Sequence, residues 1–179
     1  MTTVLGIDPG SHRLGWAVVR RVGARLVHVA HGVIAAKGET LAERLVVIER
    51  ELAAVLRAHT LEAASVESIF FSKDAQAAAK LGHARGVALL VCARAGLPIA
   101  EYPPARVKRT VTGHGRAEKA QVAMMVRAVL ALPAVPPYDA ADALAIAITH
   151  LQACVIPQQK APKPRWMVRP RAPSNGTKA

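Results

Sequence analysis

A short apolar run that stops dead at an acid constrains this chain most. Thr2-Thr3-Val4-Leu5-Gly6-Ile7 reads as a buried strand, and Asp8-Pro9-Gly10 turns the backbone at once after the carboxylate. Asp8 therefore stands at a strand end. A second strand-like run follows at Gly15-Trp16-Ala17-Val18-Val19-Arg20, and a third at residues 25–34, so the chain opens as an antiparallel meander with Asp8 near its midline. An acid before Pro-Gly can also simply open a turn, so Asp8 needs partners to carry chemistry.

Downstream, Thr40-Leu41-Ala42-Glu43 has the form of a capping box, and Leu41, Leu45, Ile48, Leu52, Val55 and Leu56 keep helical spacing through about residue 58. Residues 63–67 read as a fourth strand ending at Glu67, which is the second acid at a strand terminus. A helix is expected over 74–95, where Gly82 and Gly86 would allow a close helix or backbone contact. A fifth strand over 98–102 is closed by Pro103-Pro104, and helices are expected over about 116–130 and 139–152. The order β-β-β-α-β-α-β-α-α places parallel strands beside the first, with the ends of strands one and four adjacent. An α/β fold with a five-stranded mixed sheet flanked by helices is expected over residues 1–156.

The last helix begins Asp139-Ala140-Ala141-Asp142 in an otherwise apolar stretch. Acids at i and i+3 share a helix face about 5–6 Å apart, and the helix dipole explains the first more readily than the second. Were Asp8, Glu67, Asp139 and Asp142 to converge, their mutual repulsion would demand cations. Two Mg²⁺ suit an oxygen-only donor set, and such a pair hydrolyses phosphodiesters without a His or Cys nucleophile.

Charge points to the same substrate. The chain carries 24 basic and 12 acidic residues, a net +12, which attracts polyanions, nucleic acid first among them. Six of the basic residues lie in residues 157–179, a Pro-rich stretch with no acid that is expected to be disordered. The body remains basic. Between Arg106 and Lys119 stand Arg106, Lys108, Arg109, Arg116 and Lys119 against Glu118 alone, with Gly113 and Gly115 bracketing His114. That pattern suits phosphate contact, though a solvated basic face has the same composition. Phe70 and Phe71, just before Lys73, could stack on an unpaired base, although packing is the commoner fate of Phe. Cys92 and Cys154 sit in apolar contexts and read as small buried hydrophobes. No apolar run approaches the roughly 20 residues of a membrane span, and a cytoplasmic protein is expected.

Gly6-Ile7-Asp8-Pro9-Gly10-Ser11, Val66-Glu67-Ser68-Ile69-Phe70, Lys80-Leu81-Gly82-His83-Ala84-Arg85-Gly86, Val107-Lys108, Thr112 to Lys119 and Asp139 to Ala145 occur in the order and spacing of the RuvC family. These are crossover-junction endodeoxyribonucleases, or Holliday-junction resolvases. The resemblance spans residues 3 to about 151. It implies a ribonuclease-H-like fold and a homodimer dependent on Mg²⁺ or Mn²⁺, with two ions per subunit. Paired symmetric nicks at four-way junctions would leave 5′-phosphates, in recombination and repair. It places the metal ligands at Asp8, Glu67, Asp139 and Asp142, and catalytic help at Lys108 and Lys119. DNA contacts are expected from Phe70, Phe71, Lys73, Arg85, Arg106, Arg109, His114 and Arg116, and a junction-binding, branch-migration motor is the expected partner. Some relatives carry His in place of Asp139, and many carry Gln where this chain has Ser68.

Other readings of the residues remain: a nuclease cutting hybrids or plain duplex on the same fold, or a binding protein without catalysis. The latter would be expected to have lost acids that are all present here. The Gly-Ile-Asp-Pro-Gly-Ser stretch also resembles the first phosphate loop of actin-like ATPases, which need a second domain and a second Asp-x-Gly loop.

Overall fold

A computed structural model describes residues 1–68 and 75–154. Three antiparallel strands, β1 (Thr2–Asp8), β2 (Arg13–Val22) and β3 (Arg25–Ala35), lead into helix α1 (Leu41–Ala58). Then come β4 (Ala63–Glu67), α2 (Ala75–Arg94), β5 (Ile99–Tyr102), α3 (Pro104–Thr112), α4 (Lys119–Leu130) and α5 (Tyr138–Ala153). The sheet order is β3-β2-β1-β4-β5, with β4 parallel to both β1 and β5. This is the expected mixed sheet. Among the described residues no helix is long and apolar enough to cross a membrane.

Helices cover both faces, so the central strand is apolar throughout and its period of two decides which face each side chain meets. Val4 packs with α3, α4 and α5, whereas Leu5 and Ile7 pack with α1 and α2. β4 alternates in the same way: Ala63 belongs to the α5 layer, Ala64 and Val66 to the α1–α2 layer. Two steps on, Asp8 and Glu67 fall on the α5 side. Parity thus directs both strand-end acids toward the helix that carries the other two.

α5 can approach closely because the strands beneath it are notched by glycine. A Cβ on Gly6 would lie 2.1 Å from the Ala143 carbonyl oxygen, and one on Gly15 would lie 1.9 Å from that of Asp139. The helix meets the sheet backbone to backbone. Its own small residues, Ala140, Ala143 and Ala147, are fully buried there.

The capping box of α1 forms, with Thr40 Oγ1 accepting from the Glu43 amide at 3.2 Å and the Glu43 carboxylate accepting from the Thr40 amide at 3.3 Å. Three expectations need correction. The segment after β5 contains a helix, α3, where none was expected between the fifth strand and about residue 116. Pro104 occupies the first turn, where a missing N–H costs nothing, and Gly113 (φ 86°) ends the helix with its amide donating to the Arg109 carbonyl. α4 in turn starts at Lys119, later than the composition suggested, with Glu118 and Gln121 forming its capping box. Cys92 is buried, with its thiol pushed up to about 11 by burial, but Cys154 at the end of α5 is exposed. Residues 157–179 lie outside the described residues.

Candidate active site

Four acids from three parts of the chain meet at one end of the sheet. Ile7 pairs with Val66 in the parallel ladder, so the next residues, Asp8 and Glu67, end adjacent strands. The first turns of α5 bring Asp139 and Asp142 over them, held by the contact of Asp139 with Gly15, itself the β2 partner of Asp8.

The electrostatics record this convergence. Asp8 is pushed up to about 8, first by burial and then by the charges of Asp142 and Glu67, with Lys119 opposing and Asp139 adding. Burial and Asp142 raise Glu67 as well, against the pull of Lys119 and Lys108. Asp142 is raised by burial, opposed by Lys119, which lies 3.4 Å from its Oδ2, and by Lys108. Lys119 is raised in return, chiefly by Asp142. Asp139 is paired by a residue the sequence had not singled out: Arg13 Nε donates to its Oδ2 at 2.6 Å. Nothing local marks Arg13. It reaches Asp139 only because α5 is laid across the start of β2.

The basic residues divide into two groups. Lys108, on the inner side of α3, and Lys119, at the start of α4, act on the carboxylates. Arg106 instead lies over the Tyr102 ring, 4.9 Å from its centroid, and with Arg109 lines a shallow cleft against Thr149 and Gln152 of α5. His114 and Arg116 are exposed in the turn between α3 and α4. Arg85, expected on DNA, is mostly covered; it donates to the Glu67 carbonyl at 3.3 Å and pairs with Glu101, so it ties α2 to the ends of β4 and β5. Phe70, Phe71 and Lys73 lie outside the described residues.

The donor set fits hard divalent cations. Oxygen donors alone, with Asp8 pushed up to about 8 chiefly by burial and then by the charges of Asp142 and Glu67, are of the kind that hard divalent cations take. Among the described residues no three His, Cys, Asp or Glu side chains are drawn together as a ready-made metal cage. Two of the four carboxylates are engaged by Arg13 and Lys119 instead.

The family profile of crossover junction endodeoxyribonuclease RuvC matches residues 4–150. The chain is 60% identical over 173 residues to the enzyme of that name from Sorangium cellulosum, covering 94% of this chain and 96% of the relative. It is 50% identical over 149 residues to that of Ruegeria pomeroyi, covering 82% and 89%. Among solved structures it matches Thermus thermophilus RuvC in complex with a Holliday junction substrate, with a TM-score of 0.80, 39% identity, and 86% and 95% coverage. The yeast mitochondrial Holliday junction resolvase, at 11% identity and a TM-score of 0.60, shares the fold over 83% of this chain and 77% of that one. The fold is that of the ribonuclease-H-like resolvases, and the chain belongs to the RuvC family of crossover junction endodeoxyribonucleases.

Proposed function

We propose that this protein resolves four-way DNA junctions by hydrolysing one phosphodiester in each of two symmetric strands, leaving 5′-phosphates, in recombination and repair. The observation that carries the reading is the convergence of Asp8, Glu67, Asp139 and Asp142 beside Lys108 and Lys119. The four carboxylates would hold two Mg²⁺, with Mn²⁺ able to substitute. Bound there, the cations supply Lewis acidity toward the attacking water and the leaving oxygen. Asp8 must lose its proton to serve as a ligand, and because its pKa is raised to about 8 that loss becomes easy only as pH climbs toward 8. Lys108 and Lys119 place positive charge where the pentavalent phosphate builds up negative charge. Arg116 and His114, exposed on the adjoining turn, extend a phosphate-binding track, and Arg106 and Arg109 carry it along α3.

A junction has two-fold related strands, so two sites must act together, and a homodimer is the reading that provides them. The α2 surface around Gly82 and Gly86 is the candidate interface: within the chain, a Cβ at either position would meet nothing among the described residues within 4 Å. A junction-binding, branch-migration motor is the expected partner in the cytoplasm.

The test compares wild type with Asp8→Asn on a four-way junction, a linear duplex and a DNA–RNA hybrid in Mg²⁺. Asn removes a ligand charge and leaves the basic surface intact. Junction binding should persist while nicking falls by at least about 100-fold, a loss typical of removing one transition-state stabiliser. Equal cutting of linear duplex, or full turnover in excess chelator, would overturn the reading.

A further inference from the structure

We propose that Arg13 is an exchangeable counter-ion of this site: it occupies Asp139 until a divalent cation takes that carboxylate, and the released guanidinium then holds a backbone phosphate of the DNA. The proposal rests on the metal-dependent junction cleavage argued above, and it concerns what couples the two ligands.

The geometry suits exchange better than permanent support. Arg13 touches Asp139 through Nε at 2.6 Å, and among the described residues no other hydrogen bond of its guanidinium is found. A bidentate clamp would be the geometry for lasting support. Its side chain is 58% exposed against 28% for Asp139, so one partner stands at the mouth of the pocket and the other within it. Exposed pairs of this kind are weak. A doubly charged ion that coordinates the same oxygen displaces a singly charged neighbour, and repulsion between like charges then drives Arg13 outward. Outward is also the side open to a substrate, since Lys119, at the exposed start of α4, borders the same pocket. Guanidinium is also well matched to phosphate. Lys119, 3.4 Å from Asp142, faces several acids of the pocket, whereas Arg13 is seen on Asp139 alone among the described residues.

The consequence is reciprocal coupling: metal frees a DNA contact, and DNA, by engaging Arg13, frees a metal ligand. Mn²⁺ binding is followed by electron paramagnetic resonance on the full chain without DNA, for wild type, Arg13→Gln, Arg13→Lys and Asp8→Asn. Junction affinity is followed by fluorescence anisotropy in chelator and in Ca²⁺. Arg13→Gln should bind Mn²⁺ about two- to fivefold more tightly than wild type, the range set by an exposed ion pair. Arg13→Lys should stay within about twofold of wild type on the same scale, and the gain in junction affinity on adding Ca²⁺ should shrink in Arg13→Gln. Unchanged or weaker Mn²⁺ binding in Arg13→Gln would overturn the proposal, because an arginine that merely props Asp139 in place would lower metal affinity when removed. If wild type takes up no Mn²⁺ that Asp8→Asn abolishes, the carboxylate reading itself falls, and this one with it.

Discussion

The two faces of the sheet are built on different terms. On the α1–α2 face large side chains interlock: Leu5, Ile7 and Leu14 from the strands meet Ile48 and Leu52 from α1, all fully buried. On the α5 face the central contact is made by almost no side chain, since Gly6 and Gly15 admit the carbonyls of Ala143 and Asp139 directly. Interlocked side chains can shift rotamers to absorb a change, whereas two backbones in contact cannot. Both faces bury large side chains, but on the second the backbone contact at Gly6 and Gly15 also sets where the acids of α5 stand. What this teaches is that the alanines and glycines around the site act as spacers, and that their smallness is itself a functional property.

The hardest test of this contrast is Gly15→Ala. One methyl group must push the start of α5, and with it Asp139 and Asp142, away from Asp8. A displacement of about 1 Å in catalytic groups can cost 100-fold, so nicking of a junction should fall by about that factor even where circular dichroism shows a folded protein. Leu52→Ala, on the opposite face, should do the converse. It should lower unfolding stability by roughly 2–5 kcal/mol in urea melts, while nicking per folded molecule stays at the wild-type level. If both substitutions lowered stability and activity in step, the two faces would not differ in the way described.

A smaller effect sharpens the comparison through pH. Asp8, Glu67 and Asp142 all have folded-state pKa values raised above their ordinary ones, Asp8 to about 8. Folding therefore favours their protonated forms, and the stability they contribute is fully present below about pH 4 and is lost as pH rises through about 8. In chelator, Asp8→Asn should melt at nearly the wild-type temperature at pH 4 and above it at pH 8.5. The gain should be a rise of several degrees, each kcal/mol being about 2–4 °C for a domain of this size. Added Mg²⁺ should remove the difference by stabilising the wild type through mass action. A gain that is the same at both pH values would mean that the carboxyl's ionisation is not its cause.

Much of this was legible before any coordinates. The Asp8 strand end, the Glu67 strand end and the Thr40–Glu43 cap are local patterns, and local patterns read directly. α3 was not, because Pro103-Pro104 is both a strand terminator and a legitimate helix start, and only the αL conformation at Gly113 shows where that helix stops. The partners of Arg85 were not legible for a related reason: its acceptors, Glu101 and the Glu67 carbonyl, lie far from it in sequence and are brought beside it by the fold.

By itself, the order of residues determined every element but α3, the flanking of the sheet by helices and which acids stand at strand ends, because hydrophobic period and turn chemistry act over a few neighbours. Only tertiary structure decided that Arg13, 126 positions from Asp139, is its partner, and that Arg106 leans on Tyr102 while Lys108 and Lys119 serve the carboxylates. Coulomb forces depend on distance in space, and that distance is set by where α5 comes to rest on two glycines.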